Sequence, residues 1–156
     1  MIKRIYIDTS VVGGQFDKEF SADTIPFFDA VTNGQLIIIV SDLLKAELLR
    51  APQYIRDFLA ALPAQQIENI RLTPDAAKLA DQYILAKVVG QASRADCQHI
   101  AMATLARADV LVSWNFKHIV NLDKIRSYNG INYQLGHNML EIRTPKEIIN
   151  YDNTNS

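Results

Sequence analysis

Short runs of consecutive apolar residues, separated by longer stretches with helical periodicity, organise this chain. Three of the runs, Ile5–Ile7, Leu36–Val40 and Val110–Val112, have the length of a strand, and further short strands are expected within 67–72 and 139–143. Strands that are apolar throughout are buried on both faces, which is typical of a parallel sheet covered by helices. The pattern therefore predicts an α/β fold with a mainly parallel sheet of four or five short strands and right-handed crossovers.

Helical patterns fill the intervals between these strands. The expected helices cover residues 22–33, 42–50, 52–62, 74–89 and 93–108, with a closing helical turn after residue 145. Ser41 or Asp42 is expected to cap the second of these helices, whereas Gly13 and Gly14 are expected to break regular structure after the first strand. Because no linker or internal repeat interrupts the pattern, we predict a single domain over 1–149, followed by a disordered polar tail at 150–156.

Composition and charge narrow the class of protein. The 156 residues suit one domain, and the single cysteine excludes an intramolecular disulfide or a cysteine-based zinc cluster. The apolar run before Asp8 is too short for a signal peptide or a membrane span, so we expect a cytoplasmic protein without a membrane segment. A net charge of −1 gives no support to general nucleic-acid binding. Bound cations would, however, reverse the sign of an acidic site.

Two polar residues follow predicted strands directly. Asp8 comes after the first strand, and Asn115 lies just past the strand Val110–Val112. In open α/β folds the ligand site lies outside the carboxyl ends of the strands, so both side chains are candidate site residues. The structural alternative is that each caps a helix or makes a turn, as Asp and Asn often do.

Two further carboxylates lie on apolar helix faces. Glu47 falls between Leu43 and Leu44 on one stripe, where a carboxylate is costly unless it is paired or binds a metal. An exposed position at the end of the stripe, or a buried pair with an arginine, would also explain it. Asp96 shares a face with apolar residues, although Ser93 and Asp96 also form a capping-box pattern. Mg²⁺ and similar cations take oxygen ligands, so these acids suggest a site for metal-assisted phosphodiester hydrolysis.

Four segments, in order, resemble the signatures of PIN domains. They are Ile-Tyr-Ile-Asp8-Thr-Ser, Leu-Leu-Lys-Ala-Glu47-Leu, Ala-Asp96-Cys-Gln-His-Ile-Ala-Met-Ala and Ala-Asp-Val-Leu-Val-Ser-Trp-Asn115-Phe-Lys-His. The closing Ile-Arg-Thr-Pro-Lys-Glu is similar to the ending of bacterial VapC-like members. This resemblance implies a three-layer α/β sandwich, with helices on both faces of the sheet, and a metal-dependent endoribonuclease.

The resemblance also implies roles for particular residues. The acids that match the family's metal-site positions, with Mg²⁺ or Mn²⁺ as cofactor, are Asp8, Glu47 and Asp96. Asn115 matches a fourth position that is often acidic, so a second metal would be weakened. Thr9 and Ser113 match hydroxyl positions beside the acids, where they would orient ligands or water. Many family members are toxins of a toxin–antitoxin pair and form homodimers, which implies an antitoxin partner and a homodimer here.

Contacts to an RNA substrate are open to two interpretations at each candidate residue. Trp114 is either a platform on which an RNA base stacks or a core or interface aromatic residue. Lys117, with other basic residues nearby, is either part of a rim for phosphates or a solvated surface charge. His99 is expected at the surface, because it lies off the apolar stripe that follows Asp96. Cys97 is expected to be a small buried residue rather than a nucleophile.

Two alternative functions remain at the level of sequence. A catalytically weak PIN-like scaffold that binds RNA or protein would explain the neutral Asn115. An aspartyl-phosphate phosphatase or receiver domain would use Asp8 as a nucleophile. Ser10 counts against the phosphatases, because it occupies the position of their second aspartate.

Overall fold

Five parallel strands form the centre of the computed structural model, which describes residues 2–90 and 93–149. The strands are β1 (Lys3–Ile7), β2 (Leu36–Ser41), β3 (Ile67–Ile70), β4 (Val110–Val112) and β5 (Ile142–Arg143). The helices are α1 (Thr9–Gly14), α2 (Ser21–Thr32), α3 (Asp42–Leu48), α4 (Gln53–Ala60), α5 (Pro74–Leu85), α6 (Arg94–Leu105) and α7 (Leu122–Gln134). A short 3₁₀ helix, Ala64–Gln66, precedes β3, and a last helical segment covers 145–149.

The strands are arranged in the order β3-β2-β1-β4-β5, and each neighbouring pair is parallel. Tyr6 in β1 is paired with Ile39 of β2 on one side and with Leu111 of β4 on the other. Strands β2 and β3 lie on one side of β1 in the sheet, whereas β4 and β5 lie on the other side. The carboxyl ends of β1 and β4 therefore form the crevice in which such folds bind ligands. The predicted α/β fold with a parallel sheet is confirmed.

Alternation of side chains along the strands divides the interior into two cores. Ile5 and Ile7 of β1 face one side, where they pack with residues of α1 to α4 such as Phe27. Tyr6 faces the other side, where it packs with residues of α5 to α7 such as Ile100. A strand that is apolar at every position is thus explained by helices on both faces, which gives the predicted three layers.

The glycine pair after β1 does not break regular structure, so that prediction is wrong. Both glycines belong to α1, and Gly14 lies where the backbone approaches the core closely. A Cβ atom on Gly14 would lie 2.8 Å from Nε1 of Trp114 and 2.9 Å from Oγ1 of Thr24. Glycine is therefore required at this position by close packing rather than by a turn.

The predicted helix starts agree with the structure to within one residue, whereas the helices end earlier than predicted and one cap differs. The Ser41 hydroxyl caps α3 by accepting a hydrogen bond from the backbone N–H of Leu44. Ser93 precedes α6, but its side chain makes no capping hydrogen bond, so the capping-box prediction is wrong. Helix α5 ends at Leu85 instead of near residue 89, and α6 ends at Leu105 instead of near residue 108.

The sequence patterns did not predict helix α7. Its buried face includes Asn129 and Asn132, whose side chains bond to the backbone of Leu140 and to the hydroxyl of Tyr83. The predicted tail at 150–156 lies outside the described residues. Among the helices of 2–90 and 93–149, none has the length and apolar character needed to cross a membrane.

Candidate functional site

The carboxylate of Asp8 lies at the junction of β1 and β4. Asp8 is 4% exposed, and its side chain makes no capping hydrogen bond to α1. The helix cap that would have explained this residue without a functional site is therefore not observed. Oδ1 accepts a hydrogen bond from the Ser10 hydroxyl at 2.6 Å, and Oδ2 accepts one from the Ser113 hydroxyl at 2.6 Å. The two strand ends therefore converge on one buried carboxylate.

Backbone hydrogen bonds fix the direction of these two hydroxyls. The Ser10 oxygen accepts the backbone N–H of Trp114 at 2.9 Å, and the Ser113 oxygen accepts the backbone N–H of Asn115 at 2.9 Å. Each hydroxyl consequently directs its own proton to Asp8. Ser113 was expected to have a supporting role, whereas Ser10 was not predicted as a site residue. The only signal for Ser10 in the sequence was its position two residues after Asp8.

Glu47 is half-buried on α3, with 35% of its side chain exposed. Its Oε1 accepts hydrogen bonds from the Thr9 hydroxyl at 3.0 Å and from Nε2 of His99 at 2.5 Å. The partner of this carboxylate is therefore a histidine on α6, not an arginine. The Thr9 hydroxyl therefore contacts Glu47 directly, and its role in orienting ligands stays a prediction.

His99 is 2% exposed, so the prediction that it lies at the surface is wrong. Its Nδ1 lies 2.6 Å from the hydroxyl of Tyr6, while Nε2 contacts Glu47. Burial of an imidazole is tolerated here because both ring nitrogens have a polar partner. The apolar stripe after Asp96 did not reveal this, because α6 is buried on more than one side.

The amide oxygen of Asn115 is engaged in backbone hydrogen bonds instead of facing a ligand. That oxygen accepts the backbone N–H groups of Lys117 at 3.2 Å and His118 at 3.0 Å, which makes the turn that sequence reasoning gave as the structural alternative. Asn115 also lies close enough to the Asp96 carboxylate to oppose the rise that burial causes in the pKa of Asp96. Asn115 is therefore near both the end of β4 and the first turn of α6.

Burial disfavours the charged form of all three acids. Burial raises the pKa of Asp8, a shift that the His99 charge and the two serine hydroxyls oppose and the Asp96 charge increases. Burial likewise raises the pKa of Asp96, with a smaller contribution from Glu47. Burial also opposes ionisation of Glu47, but the hydrogen bond and charge of His99, with the Thr9 hydroxyl, lower its pKa.

These carboxylates offer the oxygen donors that Mg²⁺ and Mn²⁺ prefer, and a bound cation would favour the ionised forms of Asp8 and Asp96, whose pKa values burial raises. Within 2–90 and 93–149, no group of three or more His, Cys, Asp or Glu side chains is arranged to hold a metal. Mg²⁺ usually takes one or two protein carboxylates and completes its shell with water and phosphate. The residues present therefore fit a cation held by Asp8 and Asp96, with Glu47 beside them.

Trp114 is a core aromatic residue in this structure. It is 8% exposed, its indole N–H donates to Oγ1 of Thr24 at 2.9 Å, and its ring stacks on Phe20 at a centroid distance of 4.6 Å. The neighbouring Phe116 is 51% exposed and rests on the same two rings. Lys117 is exposed as well. Sequence analysis missed Phe116, although it directly follows Asn115.

No model of a known protein family matches the sequence, and no curated protein matches it either. Solved structures do resemble it. VapC20 from Mycobacterium tuberculosis, a toxin that cleaves the sarcin–ricin loop, aligns over 73% of this chain and 92% of its own with 11% identity and a TM-score of 0.56. The chain has a VapC-like PIN fold.

Two further structures share this PIN fold. VapBC2 from Rickettsia felis, bound to a DNA fragment from its promoter, aligns over 90% of this chain and 98% of its own with 13% identity and a TM-score of 0.56. FitAcB from Neisseria gonorrhoeae aligns over 90% and 97% with 15% identity and a TM-score of 0.55. In the PIN fold of the present chain, the four segments that suggested the resemblance meet at one edge of the sheet, around Asp8.

Proposed function

We propose that this protein is a divalent-metal-dependent endoribonuclease that hydrolyses phosphodiester bonds of single-stranded or loop RNA. The observation that carries the proposal is the buried Asp8 carboxylate at the junction of β1 and β4, held by two serine hydroxyls and repelled by the charge of Asp96. The similar structures belong to PIN-domain toxins, which supports a nuclease of this class.

In this proposal Asp8 and Asp96 hold Mg²⁺ or Mn²⁺. When bound, the cation would supply an acidified water and neutralise charge that develops on the phosphate. Ser10 and Ser113 keep both oxygens of Asp8 in place, and the nearby Asn115 lowers the pKa of Asp96, which burial raises. Glu47, with its lowered pKa, stays ionised at neutral pH and is available as a further ligand or as a proton acceptor.

Phe116 and Lys117 are the proposed contacts to RNA. Phe116 exposes a ring face supported by Phe20 and Trp114, which suits stacking of an unpaired base. Lys117 adds an exposed positive charge beside it for a phosphate. Trp114, which sequence analysis offered as the platform, would act indirectly by supporting Phe116.

The activity test uses mixed-sequence single-stranded RNA with Mg²⁺, Mn²⁺ or EDTA. We expect the wild-type protein to cleave only with a cation. The Asp96→Asn variant should lose more than the roughly 10–100-fold that removal of an outer-shell partner costs. Asp29→Asn is the matched control, because it makes the same chemical change at an exposed position of α2. Equal cleavage by the Asp96 variant and the wild type would remove Asp96 from the site.

A catalytically weak scaffold is the second candidate, and Asn115 favours it. Its neutral amide takes the place of a fourth acid, and its oxygen is engaged in a turn. If the wild-type protein cleaves no RNA, Asn115→Asp distinguishes the two candidates. Cleavage gained by this variant would identify a nuclease scaffold weakened at a single position.

An antitoxin partner and a homodimer are also proposed, together with a cytoplasmic location. The similar VapBC2 and FitAcB structures are toxin–antitoxin complexes, which supports a partner of that kind. An apolar groove between α3, α4 and β3, bordered by the exposed Leu49, offers a surface for an apolar helix. Light scattering after size exclusion tests the dimer, which would have twice the 17.5 kDa mass of the chain.

A further inference from the structure

A chain of hydrogen bonds connects the interior of the protein to the carboxylate of Glu47. The Tyr6 hydroxyl lies 3.1 Å from Oγ of Ser41 and 2.6 Å from Nδ1 of His99, and Nε2 of His99 lies 2.5 Å from Oε1 of Glu47. Tyr6 is fully buried on β1, and His99 is buried on α6. Side chains from β1, β2 and α6 are therefore linked by hydrogen bonds to a carboxylate on α3.

The geometry of these hydrogen bonds explains why a histidine occupies position 99. With a proton on Nε2, the imidazole donates to Glu47, and Nδ1 lies within hydrogen-bond distance of the Tyr6 hydroxyl, so both nitrogens have a polar partner. An apolar side chain would fill the same space without the cost of burying a polar group. The polar choice has one evident effect, which is to fix the position of the Glu47 carboxylate.

The position of His99 in the fold connects its contact with Glu47 to the other two acids of the site. His99 lies one helical turn after Asp96 on α6, so one helix carries both an acid and the residue that holds another acid. Tyr6 precedes Asp8 by two positions on the same strand. Strand β1 and helix α6, which position Asp8 and Asp96, therefore also restrain the Glu47 carboxylate through Tyr6 and His99.

We propose that His99 is a positioning residue that holds Glu47 toward the cation held by Asp8 and Asp96, with Tyr6 fixing the imidazole. The inference rests on the proposed function, because it assigns Glu47 to the metal site. Outer-shell partners of this kind change metal affinity by roughly 10–100-fold when removed. His99 acts through Glu47 and does not itself contact the cation.

The affinity for Mn²⁺ tests this inference without any need for catalysis. We expect His99→Ala to bind Mn²⁺ roughly 10–100-fold more weakly than the wild type, as measured by electron paramagnetic resonance of free Mn²⁺. His99→Gln should recover part of the loss, because its amide N–H donates to a carboxylate. In the Glu47→Gln background, loss of His99 should have no further effect, because it acts through Glu47. Additive losses in the double variant would overturn the inference, as would unchanged or tighter binding by His99→Ala.

Two controls separate this inference from the proposed function. If the wild-type protein and Asp96→Asn both bind no Mn²⁺, the metal site itself is wrong and the inference fails with it. If Asp96→Asn loses Mn²⁺ while His99→Ala does not, only the inference fails. In the metal-free protein, a downfield imidazole N–H proton resonance should be present in the wild type and in Asp29→Asn, and absent from Glu47→Gln. Its absence from the wild type would overturn the inference even if His99→Ala were too unstable to study.

Discussion

At Gly14 the backbone of α1 lies close to the side chains of Trp114 and Thr24. Replacement by alanine would place a Cβ atom 2.8 Å from Nε1 of Trp114, against the indole that is hydrogen-bonded to Thr24. We expect Gly14→Ala to lower the free energy of unfolding by about 1–3 kcal/mol, the usual cost of overpacking. Urea denaturation of the variant and the wild type measures this change.

Gly13 provides the matched control for that substitution. It lies one position earlier in the same helix, and a Cβ atom there meets nothing within 4 Å. Alanine at this position should leave stability unchanged or raise it by up to about 1 kcal/mol, because glycine is disfavoured in helices. Equal destabilisation by both substitutions would contradict the close approach at Gly14.

Cys97 is expected to be chemically inert in the native protein. Its residue is fully buried on α6, and burial raises the pKa of its thiol to about 12. The reactive thiolate is therefore scarce at about pH 8, where an unperturbed thiol near pKa 8.5 is partly ionised. Labelling by a chromogenic disulfide should be slow in the native state and fast in urea. Rapid labelling without urea would contradict the burial of this side chain.

Sequence patterns reveal some residues of the candidate site better than others. Asp8 and Glu47 stand out because a carboxylate beside apolar residues needs a physical reason. His99 could not be placed, since its burial depends on Tyr6, a partner 93 positions away. The choice between Trp114 and Phe116 depends on which ring contacts Phe20 face to face, and neighbouring aromatic residues give no such information.

Arg4 joins three elements on one side of the sheet. From β1 it extends past β2 to Glu68 of β3, with contacts of 2.6 and 2.8 Å, and it also donates to the carbonyls of Ala106 and Arg107 after α6. The hydrogen bond from Arg4 lowers the pKa of Glu68 below its ordinary value of 4.5. A carboxyl group with a lowered pKa in the native state stabilises the fold above its unfolded pKa and loses that effect as the pH falls through its native value.

This linkage predicts how Glu68→Gln depends on pH. At pH 7 the variant should be less stable than the wild type by up to about 1 kcal/mol, because the pair is more than one-third exposed at Glu68 and is screened by solvent. The difference should shrink as the pH falls below 4.5, where Glu68 of the wild type takes up its proton. Urea denaturation between about pH 3 and pH 7 measures both stabilities. A difference that is constant across this range would contradict an ionic contribution.

Elements with continuous apolar runs were predictable, whereas elements with buried polar residues were not. The central strands β1, β2 and β4 contain uninterrupted apolar runs, so their pattern was easy to recognise. Helix α7 was missed because Asn129 and Asn132 occupy its buried face and satisfy the backbone of Leu140 and the hydroxyl of Tyr83. The strand expected within 139–143 is present as β5, but it is only two residues long, so its start could not be read from the pattern.

At the scale of the whole molecule, the proposed cation should stabilise the native state. A ligand that binds only the folded protein at 100 times its dissociation constant adds about 2.7 kcal/mol to the free energy of unfolding. We therefore expect Mn²⁺ to raise the melting temperature of the wild type reversibly, with EDTA restoring the original value. Asp8→Asn should show little of this shift, whereas Asp29→Asn should show all of it. An equal shift in the Asp8 variant would indicate that the cation binds elsewhere.

The parallel α/β sheet buried on both faces was predictable because alternation of short buried strands with helices leaves few arrangements of a chain of this size. The three layers were implied by the resemblance to PIN domains. The order of the strands does not follow from composition or periodicity, because β4 could in principle join either edge of the sheet. Its place beside β1 brings Asp8 and Ser113 together, and this proximity defines the site more than any local motif does.

The pairing of β1 with β4 also determines when the site forms during synthesis. Asp8 and Ser113 are separated by 105 positions in the chain, and a ribosome adding about 5–20 residues per second needs roughly 5–20 s to cover that distance. Throughout that interval the nascent chain has its first acid but lacks the strand that encloses it. Contacts of such long range also slow folding itself. A ribosome that makes the proposed ribonuclease has therefore synthesised most of the chain before the candidate site exists beside its own RNA.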